Sequence, residues 1–226
     1  MMGFCIHTIM ESLSRKRGVF HLESDFQFAL AWEIKNLYPD CELRLEVPFS
    51  FESKGRIDIL VRFGDDVFPI ELKYLKKALK YTVDDEPFVL AEGVHDMEMY
   101  DCIGDINRME SFCGKLNGFH TGYVVWLTND PAYWDSSYNA SYYNEFHAPN
   151  GSIKTGKMYF NPLNPRTNKP PQILKERKYQ NPIILNGSYQ IKWNDYSDLG
   201  VAKGLFKYAV VDIKNSMFGG VSDAKG

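Results

Sequence analysis

The sequence predicts a single α/β domain in which helices flank a mixed sheet. Three observations predict it. Residues 56–73, Arg-Ile-Asp-Ile-Leu-Val-Arg-Phe-Gly-Asp-Asp-Val-Phe-Pro-Ile-Glu-Leu-Lys, read as two strands joined by a Gly-Asp-Asp turn. A helical pattern and a third strand precede them. A second helical pattern and a continuous apolar run, Gly122-Tyr123-Val124-Val125-Trp126-Leu127-Thr128, follow.

The first helix spans residues 24–37, with Ser24 or Asp25 at its cap and Phe26, Ala29, Leu30, Ile34 and Leu37 as its apolar stripe. Residues 41–48 alternate Cys41, Leu43, Leu45 and Val47 against Glu42, Arg44 and Glu46, the pattern of a half-exposed strand. In the hairpin, charge interrupts both arms. Asp58 lies between Ile57 and Ile59, and Glu71 and Lys73 flank Leu72. Residues two apart in a strand share a face, so Glu71 and Lys73 point one way and Phe68, Ile70 and Leu72 point into the core. The second helix spans 96–112, with Met97, Tyr100, Ile103, Met109 and Phe112 as core positions. Asp101, Asp105 and Arg108 share one of its faces, which can close a cleft. The apolar run 122–128 has the character of a strand buried on both faces and paired parallel to the Lys73 strand. Asn129 and Asp130, at its end, lie where turn residues can meet a ligand.

Two carboxylates from adjacent strands make an oxygen-rich site that suits Mg²⁺ or Mn²⁺. Such an ion, with an ammonium beside it, serves phosphodiester hydrolysis. Asp58, then Glu71-Leu72-Lys73 beginning thirteen positions on, resembles the core of the PD-(D/E)XK nuclease superfamily. Ile57 stands where that motif has proline. The resemblance covers residues 22–128 and implies a restriction-endonuclease-like fold of order α-β-β-β-α-β. It implies Asp58 and Glu71 as metal ligands, Lys73 as the catalytic lysine, and an acid on the first helix, Glu23 or Glu33, that joins them; Glu23 is preferred. It also implies Mg²⁺ or Mn²⁺ as cofactor and DNA as substrate, with RNA open, in restriction or defence. The alternative is a non-catalytic nucleic-acid- or protein-binding module on the same fold.

Charge is unevenly spread. Residues 1–146 hold 14 basic and 24 acidic side chains, a net of −10; residues 147–182 hold 7 and 1, a net of +6. The expected nucleic-acid contacts are Lys76, Lys77 and Lys80 after the motif. A segment at 132–182, rich in aromatic and basic residues, adds Lys154, Lys157, Arg166, Lys169, Lys175, Arg177 and Lys178. Its rings, Tyr133, Trp134, Tyr138, Tyr142, Tyr143 and Tyr159, are expected to meet bases or sugars. Residues 82–92 read as an acidic loop, residues 1–20 as a lead-in with an exposed Arg15-Lys16-Arg17 turn, and the tail from Gly219 as frayed. Residues 183–193 and 206–214 read as a closing antiparallel pair that extends the sheet. One domain is therefore expected, with its core at about 22–130, the insertion at about 132–182 and closing strands at about 183–214.

No apolar run reaches membrane length. The start lacks a basic n-region, and the four cysteines form no CxxC. The expectation is a cytoplasmic protein with reduced thiols, no membrane partner, and a homodimer if both DNA strands are cut. His7, His21, His95, His120 and His147 are scattered without zinc spacing, and neither a P-loop nor a GxSxG occurs.

Overall fold

The computed structural model describes residues 3–49 and 55–214. The tail from Gly219 and most of the turn at 49–55 lie outside the described residues. The elements, in chain order, are helices α1 (Ile6–Ser14) and α2 (Glu23–Leu37), then strands β1 (Glu42–Pro48), β2 (Arg56–Phe63), β3 (Asp66–Leu75), β4 (Leu79–Val83) and β5 (Glu86–Leu90). Helix α3 (His95–Cys113), strand β6 (Thr121–Thr128), a single-turn helix α4 (Pro131–Trp134), and strands β7 (Ile153–Met158), β8 (Ile183–Gln190), β9 (Trp193–Asp198) and β10 (Leu205–Lys214) complete them.

The protein is mixed α/β. Its main sheet has the order β1-β2-β3-β6-β10-β9. β3 and β6 pair in parallel, Lys73 opposite Trp126, and the other neighbours are antiparallel. β6 is buried along its whole length, as its continuous apolar run requires. One face of the sheet packs on α1 and α2, through Phe68, Ile70, Leu72, Val125 and Leu127. The other packs on α3, through Val67, Leu75, Val124 and Trp126. Gly122 allows α3 to lie close: a Cβ there would stand 2.4 Å from Met109 Sδ.

The structure corrects four expectations. The lead-in contains α1, which buries Ile6, Ile9, Met10 and Leu13 at helical spacing. Lys16 and Arg17 pair with Glu33 at 2.6 Å and Asp25 at 2.8 Å, so this turn is tied to α2. The acidic loop is the β4–β5 hairpin, turned at Asp84 and Asp85, both at positive φ (46° and 67°). Aspartate tolerates that region, and such turns match the twist of a hairpin. The closing pair is β9 and β10, with β9 falling between the two strands expected there. β8 leaves the main sheet and pairs with β7.

β8 and the insertion pack on α3. Glu110 accepts hydrogen bonds from the backbone N–H groups of Asn186 (2.9 Å) and Gly187 (2.7 Å) and from the Tyr189 hydroxyl (2.7 Å). Tyr133, Tyr143, Phe146, Phe160 and Tyr179 are buried there. Of the rings expected to meet bases, Tyr133 and Tyr143 are core and Trp134 and Tyr142 are partly covered, which leaves Tyr138 and Tyr159 exposed. Among the described residues, no helix is long and apolar enough to cross a membrane.

Candidate metal and catalytic site

The β2–β3 ladder ends at Ile59 and Ile70. Beyond that pair β2 stays with β1 and β3 stays with β6, so the hairpin opens into a fork. A fork exposes backbone groups that a ladder would have paired, and buried ones must find partners. Alternation along β3 turns the Leu72 and Tyr74 N–H groups toward the gap. Leu72 N–H donates to Asp58 Oδ2 at 2.7 Å, and Tyr74 N–H donates to Glu23 Oε2 at 2.9 Å. On the other edge of β2 the ladder skips the Glu46–Asp58 pair, where Glu46 takes φ 53°. Gln27 Nε2 fills that gap, donating to Glu46 Oε1 and the Asp58 carbonyl, each at 2.8 Å. Acids and an amide hold open the place where the strands part.

Glu71 and Lys73 emerge from β3 toward α3, which presents Asp105 and Arg108. Arg108 reaches Glu71 through both nitrogens, Nη2 to Oε2 at 2.5 Å and Nε to Oε1 at 3.1 Å, and lies 3.0 Å from Asp105 Oδ1. Lys73 Nζ lies 3.1 Å from Asp105 Oδ2 and 4.0 Å from Glu23 Oε1. The charges alternate along one chain: Glu71, Arg108, Asp105, Lys73, Glu23. Asp101 turns away and pairs with Lys178 at 2.6 Å.

Burial governs the acids. It pushes Asp58 up to about 6, against the Leu72 N–H and the Lys73 charge. It pushes fully buried Glu71 up to about 8, against Arg108, and raises Asp105 against Lys73 and Arg108. For Lys73, burial works downward but Asp105 and Glu23 outweigh it, so the ammonium is held more firmly protonated than usual. A lysine in that state acts as a cation rather than a base.

The four predicted residues Asp58, Glu71, Lys73 and Glu23 therefore meet at the fork. Glu33 does not: it is buried and held by Lys16 and Ser12. The donor set fits a hard divalent cation, being all carboxylate oxygen. Asp58 and Glu23 each engage one oxygen with the backbone, while both oxygens of Glu71 are engaged by Arg108. These carboxylates do not form a three-ligand nest. Among the described residues, the one set of three His, Cys, Asp or Glu ligand atoms within 4.8 Å of one another is Glu92, His95 and Asp130. It lies at the carboxyl ends of β3 and β6. His95 Nε2 is 2.7 Å from Asp130 Oδ2, and Lys77 Nζ is 2.7 Å from Glu92 and 3.4 Å from Asp130. The sequence reading singled out Asp130 and Lys77 but missed His95. Parallel pairing of the two strands, followed to their ends, was the signal that could have joined them.

The basic residues divide. Lys80, Lys157, Arg166, Lys169, Lys175 and Arg177 are exposed. Lys76 lies over the Tyr74 ring at 5.5 Å, and Lys77 and Lys178 are ion-paired. Lys154 is the exception to the expected surface set. It is buried, donates to the carbonyls of Glu145 and His147, and burial lowers it to about 8. Its ammonium is an internal cap for two carbonyls rather than a phosphate contact. The chain matches no family model, no curated protein and no solved structure.

Proposed function

We propose that the protein is a metal-dependent endonuclease that hydrolyses DNA phosphodiester bonds, with the fork as its active site and a restriction-endonuclease-like core as its scaffold. The observation that carries this reading is the fork itself. The sheet gives up ladder hydrogen bonds at the one place where Asp58, Glu71, Lys73 and Glu23 gather. Asp58, Glu71 and Glu23 are the residues that would hold Mg²⁺ or Mn²⁺. Such an ion, when bound, polarises a phosphate oxygen and makes a water easier to deprotonate.

The side chains divide the remaining work. Lys73 offers a fixed positive charge to the oxygens of the pentavalent phosphorus. Asp105 holds that ammonium in place. Leu72 N–H and Gln27 fix Asp58 through its side chain and its carbonyl. The exposed lysines and arginines on β4, β7 and the insertion supply phosphate contacts that position the duplex.

A second reading has one observation in its favour. Both oxygens of Glu71 are bound by Arg108, as in a permanent structural ion pair, and a non-catalytic nucleic-acid- or protein-binding module would have that arrangement. Plasmid incubated with the purified protein and Mg²⁺ or Mn²⁺, beside Asp58→Ala and Lys73→Ala, separates the two. Metal-dependent nicking lost in both variants is the expected result. Nicking that survives both moves the chemistry elsewhere, and DNA retention without cutting in either metal favours the module.

A further inference from the structure

We propose that Arg108 is a displaceable counter-ion: it occupies the metal-binding carboxylate of Glu71 in the resting protein, and a divalent cation entering the fork releases it toward the substrate phosphate. This inference rests on the nuclease reading above and deepens it.

Arg108 and a metal ion would compete for one carboxylate. A guanidinium that engages both oxygens of one carboxylate takes one lone pair on each and sets a positive charge against any second cation that would use the others. Glu71 is fully buried, so it has no spare rotamer in water with which to serve both. A metal on Glu71 would sit beside the guanidinium, and the repulsion between the two cations favours the departure of Arg108. Arg108 is built to leave. Its side chain is 38% exposed while Glu71 is sealed, so the mobile partner of the pair is the arginine. Its guanidinium also has a second anchor, Asp105 Oδ1 at 3.0 Å, one helical turn back. Letting go of Glu71 therefore does not send Arg108 into bulk solvent. It keeps the cation at the mouth of the fork, beside Lys73, where the substrate's phosphate would lie.

The charge count favours the exchange. Asp58, Glu71, Asp105 and Glu23 are four acids facing Lys73 and Arg108, two cations. With all four ionised the group carries a net charge of −2, which a divalent ion added to it balances. In this scheme the resting ion pair keeps a buried carboxylate satisfied until metal arrives.

The test measures Mn²⁺ binding directly, by calorimetry, in wild type and Arg108→Gln. It is run across a pH series and compared where affinity no longer changes with pH, because without Arg108 burial raises Glu71 still further and a proton can take the arginine's place. Each titration is repeated in an Asp58→Ala background, which identifies any binding at the Glu92–His95–Asp130 set. The expected result is binding about tenfold tighter or more in Arg108→Gln, because the competitor is gone. Should that variant not fold, wild type carries the test through phenylglyoxal labelling of the Arg108 peptide. Mn²⁺ is expected to accelerate that labelling as the guanidinium leaves Glu71. Equal or weaker binding in the folded variant, or labelling indifferent to Mn²⁺, overturns the counter-ion role while the nuclease reading stands. No Asp58-dependent Mn²⁺ binding in either protein overturns both.

Discussion

Two charged clusters sit on the same sheet, and by ligand spacing alone the one at the strand ends stands out. Glu92, His95 and Asp130 bring three ligand atoms within 4.8 Å, as the fork's carboxylates do not. Their electrostatics differ in the opposite sense. At the strand ends, burial works to raise Asp130, but hydrogen bonding to His95 and the nearby charges of His95 and Lys77 outweigh it, and its carboxyl is held below the usual range. At the fork, Asp58, Glu71 and Asp105 are all raised by burial despite Lys73 and Arg108. The first cluster is a settled ion pair. The second carries acid that its neighbours do not fully neutralise, which is the condition that rewards a metal ion. Proximity of ligand atoms measures preformed geometry, while an unbalanced buried charge measures what a cation would gain.

The largest expected effect breaks the comparison if it fails. Asp58→Ala and Lys73→Ala should each lower the rate of plasmid nicking by about a thousandfold or more, the scale of losing a preorganised charge at the reacting phosphate. His95→Ala and Asp130→Asn should leave the rate within about threefold, under ~1 kcal/mol of barrier. Gel assays under single-turnover conditions read both. The reverse order would place the chemistry at the strand ends.

Stability should separate the clusters next. Arg108→Ala strands the sealed Glu71 carboxyl, and breaking a buried pair costs about 3–5 kcal/mol when the remaining charge has no escape. Glu71, raised to about 8 by burial, already holds a proton much of the time at neutral pH, so the loss expected from urea unfolding is smaller, about 1–3 kcal/mol for a buried polar group left without its partner. Lys77→Ala should lose about 1 kcal/mol or less, because Asp130 keeps His95 and Glu92 is near water. Similar losses in the two variants would mean that the fork is no more strained than the strand ends.

The pH profile of the metal-free protein sharpens the same contrast. An acid raised on folding keeps its proton in the native state while the unfolded chain gives it up. Stability from Asp58 and Glu71 is therefore present at about pH 4 and lost as pH rises, through about 6 for Asp58 and about 8 for Glu71. Asp130, lowered on folding, contributes above its unfolded value and loses that contribution as pH falls through its folded one. In EDTA, Glu71→Gln should flatten the decline of melting temperature between about pH 4 and 8, and Asp130→Asn should leave it unchanged. A Glu71→Gln profile parallel to wild type would show that Arg108 already neutralises Glu71 completely.

Much of the fork was legible because it follows from period-two alternation. Glu71 and Lys73 had to share a face, and an apolar run after a helix had to lie parallel to their strand. Glu23 came from the resemblance, which implies an acid on the first helix, and its place at the mouth of that helix set it ahead of Glu33. Arg108 was only half legible. Helical spacing grouped it with Asp105, but which face of α3 meets the sheet depends on packing such as Gly122 against Met109, which no local pattern encodes. The same limit hid β8. Its residues alternate like those of any strand, and its choice of β7 over the main sheet is a long-range pairing. α1 and the β4–β5 hairpin are different cases. Ile6, Ile9, Met10 and Leu13, and Leu79, Tyr81 and Val83 against Phe88 and Leu90, carried the right periods. A basic turn beside the first and an acidic run inside the second drew the reading toward loop.

The smallest expected effect concerns the basic insertion, where the sequence grouped residues that the structure separates. Lys157 and Arg177 point to water, while Lys154 is sealed against two carbonyls. If the exposed cations meet phosphates, each releases about one counterion, so Lys157→Ala and Arg177→Ala should each reduce the slope of log affinity against log salt by about one. Lys154→Met removes as much formal charge but should leave that slope unchanged, while costing about 1–3 kcal/mol of stability through the two carbonyls left without a donor. Fluorescence anisotropy with a labelled duplex across a salt series, in Ca²⁺ so that cleavage does not intervene, measures the slopes. Equal slopes for all three variants would mean that the insertion acts through its net charge alone. Unchanged slopes for Lys157 and Arg177 would move the duplex off this surface and onto the lysines of β4.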